Sequence, residues 1–143
     1  MKSLVKVLIM GLPGSGKTTL ARQLARRCHA VHLNADEVRA TVNKDLGFSL
    51  EDRIEHARRM GCMADIVNLS GVDVVADFVC PTPETRAIFN PSHIIWMNTI
   101  QEGRFADTNK LFIKPDQVDF EITSFNYDVS EIYFSLHAHD WNV

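Results

Sequence analysis

Apolar positions along the chain change their period several times, and each change marks a predicted element. Leu4-Val5-Lys6-Val7-Leu8-Ile9-Met10 is nearly continuous and β-branched, the pattern of a central parallel strand covered on both faces. A glycine-rich turn follows. Leu20, Leu24 and Cys28 then recur at helical spacing while Arg22, Gln23, Arg26 and Arg27 face water, which predicts a helix from about Lys17 to Cys28. Val31-His32-Leu33 reads as a short strand, and Asn34 as the cap of a helix running through Glu37, Val38 and Val42. Ser49, with Asp52 three residues on, opens the longest helix; its apolar face carries Ile54, Ala57, Gly61, Ala64 and Val67, and it stops near Ser70-Gly71. Val72 to Val79 is a third strand ended by Pro81 and Pro83, Thr85 to Phe89 a helical turn, His93 to Met97 a fourth strand and Val118 to Ile122 a fifth.

The order βαβαβαβ predicts an α/β fold with a mostly parallel sheet of about five strands, helices on both faces and a ligand crevice along the strand C-termini. A chain of 143 residues has room for one such unit, so a single domain over 1–143 is expected. The formal charge of −3 lacks the cationic excess of proteins held by nucleic-acid phosphates, so no nucleic-acid partner is expected. Its longest apolar run, Leu4 to Met10, contains Lys6 and leads into a glycine loop, which fits neither a membrane span nor a secretory leader. Cys28, Cys62 and Cys80 are odd in number and lie far apart, as expected of reduced thiols in a cytoplasm. Cys28 and Cys62 both fall on apolar helix faces and read as core residues.

Gly11-Leu12-Pro13-Gly14-Ser15-Gly16-Lys17-Thr18 matches G-x-x-x-x-G-K-[ST] in full, between a predicted strand and a predicted helix. The glycines let backbone N–H groups turn inward around a triphosphate, the helix N-terminus adds positive potential, Lys17 reaches the terminal phosphates and the Thr18 hydroxyl ligates magnesium. Gly11, Gly14, Ser15, Gly16, Lys17, Thr18 and Thr19 are therefore the expected ATP-binding residues, and the fold narrows to the three-layer P-loop NTPase class. A P-loop does not by itself separate kinases from GTPases or motor ATPases. His32-Leu33-Asn34-Ala35-Asp36-Glu37-Val38-Arg39 supplies the acceptor side: a carboxylate and a guanidinium brought to the same sheet edge. Asp36 is placed to accept a hydroxyl proton or to hold a magnesium-bound water, and Arg39 to pair with an anion.

These blocks resemble the adenylylsulfate kinase family, which transfers phosphate from MgATP to the ribose 3′-hydroxyl of adenosine 5′-phosphosulfate. The family's G-L-S-G-S-G-K-T-T, H-L-D-G-D-N-V-R, L-N-x-D-L-G-F-S-x-E-D-R-x-E-N-I-R-R and F-I-S-P-Y have counterparts here at Gly11 to Thr19, His32 to Arg39, Val42 to Arg59 and Phe78 to Thr82. The resemblance covers roughly the first 90 residues. It implies a P-loop kinase with ATP and Mg2+, with Lys17 and Asp36 as catalytic residues, Arg39 and Arg53 on the phosphosulfate and Phe48 on the acceptor adenine. His56, Val79 and Cys80 fall at the family's pocket positions. Phe48 also fits a core position, and Arg53, Arg58 and Arg59 also fit a solvated helix surface. The implied partner is a small nucleotide substrate, with no membrane and with room for a homodimer.

Three departures fall in the acceptor region. Asn34 replaces the first acidic residue of its block, His56 an asparagine and Cys80 a serine. Losing the carboxylate at 34 is expected to weaken the magnesium-water network, while His56 brings a titratable ring. The family's lysine-rich lid, resembling K-G-L-Y-K-K-A-R, has no clear counterpart between Ile100 and Ile122, where Arg104 and Lys110 offer lid cations within a polar connection. Arg86 is positioned to contact a nucleotide or to sit on a helix surface. Asp77 looks like a magnesium-network carboxylate at a strand end, at a place normally small in the family, and an indirect role is expected of it. His137, His139 and Asp140 lie near the chain end and read as exposed polar residues.

The function expected is phosphorylation of adenosine 5′-phosphosulfate in sulfate assimilation. Two alternatives stand beside it: a P-loop kinase for another small nucleotide-like or hydroxylated substrate, and a nucleotide-binding module without catalysis. The departures at 34 and 56 and the short lid favour the alternatives; Lys17, Thr18 and Asp36 favour the enzyme.

Overall fold

The computed structural model describes residues 3–138. Its sheet is built from β1 (Lys6–Met10), β2 (Val31–Asn34), β3 (Val74–Asp77), β4 (His93–Met97) and β5 (Phe120–Ile122) in the order β2-β3-β1-β4-β5. All four neighbouring pairs are parallel. Side chains of the central strand alternate: Val5, Val7 and Ile9 enter one core layer, Leu8 and Met10 the other. The first layer packs against α1 (Lys17–Cys28) and α6 (Val129–Leu136), the second against α2 (Ala35–Thr41), α3 (Leu50–Leu69) and α4 (Pro83–Phe89). A sixth helix, α5 (Ala106–Leu111), lies between β4 and β5. This is the three-layer α/β arrangement expected, with strands that end together on one edge.

Differences from the sequence reading have local causes. β3 is shorter than Val72 to Val79: the Asp73 carboxylate accepts the Val5 N–H at 2.8 Å ahead of the strand, and beyond it Cys80 turns the chain with a φ of 47°. The turn expected at Thr85 is a helix from Pro83, closed by a reciprocal Thr82–Thr85 capping box. The connection expected as polar loop contains α5, and α6 was not predicted at all. Cys28 is buried as expected, whereas Cys62 is exposed on α3, because the face that packs inward is Arg53, His56, Ala57, Met60, Gly61 and Ala64. His137 is buried beside Asp73, with Nε2 3.9 Å from Oδ2, rather than exposed; His139 and Asp140 lie outside the described residues. Among the described residues no helix is long and apolar enough to cross a membrane.

Candidate functional site

The turn between β1 and α1 is fixed before any ligand reaches it. A Cβ at Gly11 would stand 2.7 Å from the Met97 carbonyl oxygen at the end of β4, so that position admits only glycine. Gly16 caps α1 at φ 95°, a left-handed conformation that turns the chain into the helix. The Ser15 N–H closes the turn on the Leu12 carbonyl at 3.1 Å, and the Thr99 hydroxyl donates to the Ser15 carbonyl at 2.8 Å, latching the loop to the β4 end. Gly11 and Ser15 form the back of the loop. Gly14, Gly16, Lys17, Thr18 and Thr19 line a cavity of about 770 Å3.

Lys17 Nζ donates to the Leu12 carbonyl at 2.9 Å, which folds the ammonium over its own loop. Burial pulls its pKa down to about 8, against the opposing pull of Asp77 and then Asp36. Thr18, at the start of α1, sits in a polar knot with residues from the ends of two strands, β2 and β3. Its hydroxyl donates to Asp77 Oδ2 at 2.7 Å, and Asn34 Nδ2 reaches both Thr18 Oγ1 at 3.2 Å and Asp77 Oδ2 at 3.1 Å. His32 Nε2 pairs with Asp77 Oδ1. Asn34 Oδ1 meanwhile accepts the Glu37 N–H at 3.0 Å and so caps α2, as the sequence predicts.

At the other end of the cavity stand Arg39, Phe48, Arg53 and His56, walled by Phe78, Val79, Cys80, Phe105 and Thr108. Phe48 is 67% exposed, not a core residue, and its ring lies 4.4 Å from the Arg39 guanidinium carbon and 5.5 Å from that of Arg53. Arg39 donates to the Gly47 carbonyl at 2.9 Å; Arg53 donates to the Phe48 carbonyl at 2.9 Å and to the Thr108 hydroxyl at 3.2 Å. Arg53 is buried rather than a solvated helix charge, whereas Arg58 and Arg59 pair with Glu55 on the helix surface. Burial lowers the pKa of both cavity guanidiniums from the ordinary value, and in Arg39 the neighbouring Arg53 adds to the effect. Asp36, exposed on the first turn of α2, acts electrostatically on both Lys17 and Arg39, so it stands within reach of both ends of the cavity.

His56 is 2% exposed, and its proton can be located from its neighbours. Arg59, a donor only, reaches Asn43 Oδ1 at 3.3 Å, so the Asn43 amide nitrogen faces His56 Nδ1 at 2.8 Å and Nδ1 must accept. The ring proton is therefore on Nε2, which has no hydrogen-bond partner among the described residues. Burial, followed by Arg39, Arg59 and Arg53, pushes its pKa down to about 3. The ring is a neutral donor at any ordinary pH. Because the unfolded ring binds its proton at about 6.5, stability is fully present above that pH and falls as the pH drops from 6.5 toward 3. Urea denaturation is expected to show a loss on the order of a few kcal/mol between pH 7 and pH 4, and a shallower slope in His56→Asn.

Cys80 is buried at a left-handed φ, and burial pushes its thiol pKa up to about 12, so it contributes a neutral wall. Arg86 lies outside the cavity: it donates to the Cys80 carbonyl at 3.0 Å and to the Ile113 carbonyl, tying the β3–α4 turn to the segment after α5. Of the two lid cations expected, Arg104 lines the cavity and Lys110 does not. Asn43, Phe78, Phe105, Asp107 and Thr108 escaped the sequence reading. Asn43 and Phe78 lie within the family-like blocks, whereas Phe105, Asp107 and Thr108 lie in the polar connection whose sequence singles out its cations alone.

A family model described as adenylylsulphate kinase matches residues 3–100. An adenylyl-sulfate kinase of Pseudomonas entomophila is 44% identical over 81 residues, covering 53% of this chain and 39% of that protein. One of Geotalea daltonii is 42% identical over 94 residues, covering 59% of this chain and 46% of that protein. The chain thus spans less than half the length of these curated relatives. Among solved structures, the Mycobacterium tuberculosis APS kinase in complex with AMPPNP and APS superposes with a TM-score of 0.79 at 22% identity, covering 93% of this chain and 95% of that one. Shikimate kinase from Aquifex aeolicus superposes with a TM-score of 0.62 at 13% identity, covering 96% of this chain and 99% of that one. At these identities the structural likenesses establish the fold.

Proposed function

We propose, from the premise that this chain belongs to the adenylylsulphate kinase family, that it transfers the γ-phosphate of ATP to the 3′-hydroxyl of adenosine 5′-phosphosulfate. The observation that carries the reading is that one cavity joins the P-loop to the Arg39, Phe48 and Arg53 cluster, with Asp36 in electrostatic reach of both. Phosphoryl transfer asks the protein mainly for alignment and charge stabilisation, and the two ends supply them.

At the ATP end, Lys17 leaves the Leu12 carbonyl and pairs with the β and γ phosphates, whose charge offsets its burial and draws its proton back. At the acceptor end, Arg39 and Arg53 take the phosphosulfate, Phe48 offers its exposed face to the adenine, and His56 donates its Nε2–H to an acceptor atom. Val79 and Cys80 keep that wall dry. The 3′-oxygen attacks the γ-phosphorus, the bond to the β–γ bridging oxygen breaks, ADP leaves, and the hydroxyl proton passes to the Asp36 carboxylate. Arg104, at the cavity rim, meets charge that develops on the transferred group. The hard oxygen donors Thr18 Oγ1, Asp77 and Asp36 suit Mg2+, which would neutralise phosphate charge.

The test is ADP release from MgATP with a panel of acceptors. Release is expected with adenosine 5′-phosphosulfate and not with adenosine 5′-monophosphate or shikimate. Release with a different hydroxylated acceptor alone would favour the other kinase reading suggested by Asn34 and His56. ATP binding without turnover on any acceptor would favour a nucleotide-binding module.

A further inference from the structure

One amide side chain folds the segment between β4 and β5 into a turn beside the cavity. Asn109 Oδ1 accepts the Gly103 N–H at 2.8 Å, and Asn109 Nδ2 donates to the Gly103 carbonyl at 2.9 Å. A single side chain thus takes both backbone groups of a residue six positions back, and those two partners fix which way the amide faces. The turn sits on the P-loop: a Cβ at Gly103 would stand 3.1 Å from Pro13 Cδ and 3.2 Å from the Pro13 carbonyl oxygen. Arg104 is the next residue along. We propose that Asn109 is a positioning residue of this site, whose bridge to Gly103 seats the turn on Pro13 and thereby aims Arg104 at the phosphate being transferred. The proposal rests on the role given to Arg104 above.

Arg104 needs such a support. It is exposed, and its long side chain carries about 2 kcal/mol of rotamer entropy, so a loose backbone beneath it would scatter its charge. A lid with several lysines tolerates scatter; between β4 and β5 here, Arg104 lines the cavity while Lys110 and Lys114 do not. α5 does not fix the turn by itself, because it has six residues and Phe105 at its N-cap makes no side-chain capping bond. Its two adjacent residues instead tie it to opposite ends of the cavity. The Thr108 hydroxyl accepts from Arg53 at 3.2 Å at the acceptor end, and Asn109 holds the turn against the P-loop. Burial lowers the Lys17 pKa most, and the Arg104 charge lowers it further, which puts the guanidinium in electrostatic reach of the phosphate seat.

The test is steady-state kinetics with MgATP and adenosine 5′-phosphosulfate for wild type, Arg104→Ala, Asn109→Ala and the double variant. Arg104→Ala is expected to lower kcat on the order of a hundredfold and Asn109→Ala on the order of tenfold, each with the acceptor KM little changed. In the Arg104→Ala background, removing Asn109 is expected to cost nothing more, because it acts through the missing guanidinium. A second measurement needs no turnover. Hydrogen exchange at the Gly103 amide is expected to quicken on the order of tenfold in Asn109→Ala, while the buried Leu8 and Ile9 keep their protection. The assignment is overturned by an equal loss of kcat in both backgrounds, by a rise in acceptor KM in place of a fall in kcat, by unchanged exchange at Gly103, or by lost protection at Leu8 and Ile9. Slow Arg104→Ala beside Asn109→Ala at the wild-type rate overturns this inference alone. Full kcat in Arg104→Ala overturns the role given to Arg104 as well, and wild type that turns over no acceptor overturns the proposed function with it.

Discussion

Lys17→Ala is expected to lower acceptor-dependent ADP release on the order of a thousandfold while leaving the fold intact. The ammonium donates to the Leu12 carbonyl, a bond within its own loop, and the core does not depend on it. Its removal takes away a charge that acts on the phosphates more strongly in the transition state than in the bound nucleotide. The depressed pKa adds a pH signature. With the lysine at about 8 when free, and raised once phosphates pair with it, wild-type ATP binding above pH 8 must take up a proton. Affinity therefore falls as pH rises through 8. Calorimetry in two buffers of different ionisation enthalpy reads this uptake directly, and it is expected to vanish in Lys17→Ala. The stability linkage has its own sign: the folded chain binds fewer protons than the unfolded one between about pH 8 and pH 10.5, so Lys17 adds stability as pH rises through that window. Full turnover in Lys17→Ala, or identical proton uptake in both proteins, would remove Lys17 from the mechanism.

Much of this arrangement is legible in the sequence because it is local. The P-loop spacing, the apolar period of α1 and the caps at Asn34 and Ser49 are each written within a few neighbouring residues, and α1 begins and ends where the pattern predicts. What escaped depends on chain segments far apart in sequence. Asp77 reads in the sequence as a strand-end carboxylate, but its partner does not: only the place of β3 between β1 and β2 brings it against Thr18, 59 residues away. The proton on His56 is decided by Arg59 through Asn43, a chain of donors with no sequence signature. Arg86 looks like a helix-surface charge until the segment after α5 folds over it and offers the Ile113 carbonyl. α5 itself has only six residues, and its one buried side chain, Thr108, is not apolar, so periodicity had nothing to report.

Arg53→Ala carries the second large effect, and it is expected at the acceptor end alone. The guanidinium joins three segments: it leaves α3, donates to the Phe48 carbonyl in the preceding loop and reaches the Thr108 hydroxyl of α5. Phe48 and Arg39 share that loop, since Arg39 donates to Gly47 and lies over the same ring. Truncating Arg53 therefore removes one anion partner and also loosens the platform that aims the second. Losing a buried, hydrogen-bonded charge partner costs about 2–5 kcal/mol, so the acceptor KM is expected to rise on the order of a hundredfold. The ATP KM should move little, because none of these bonds touches the P-loop. Arg53→Lys should not rescue it: an ammonium is a point charge and cannot span the Phe48 carbonyl, the Thr108 hydroxyl and an anion at once. Steady-state kinetics with each substrate varied in turn separates the two constants. Equal rises in both would mean that Arg53 holds the whole cavity together and does not serve the acceptor.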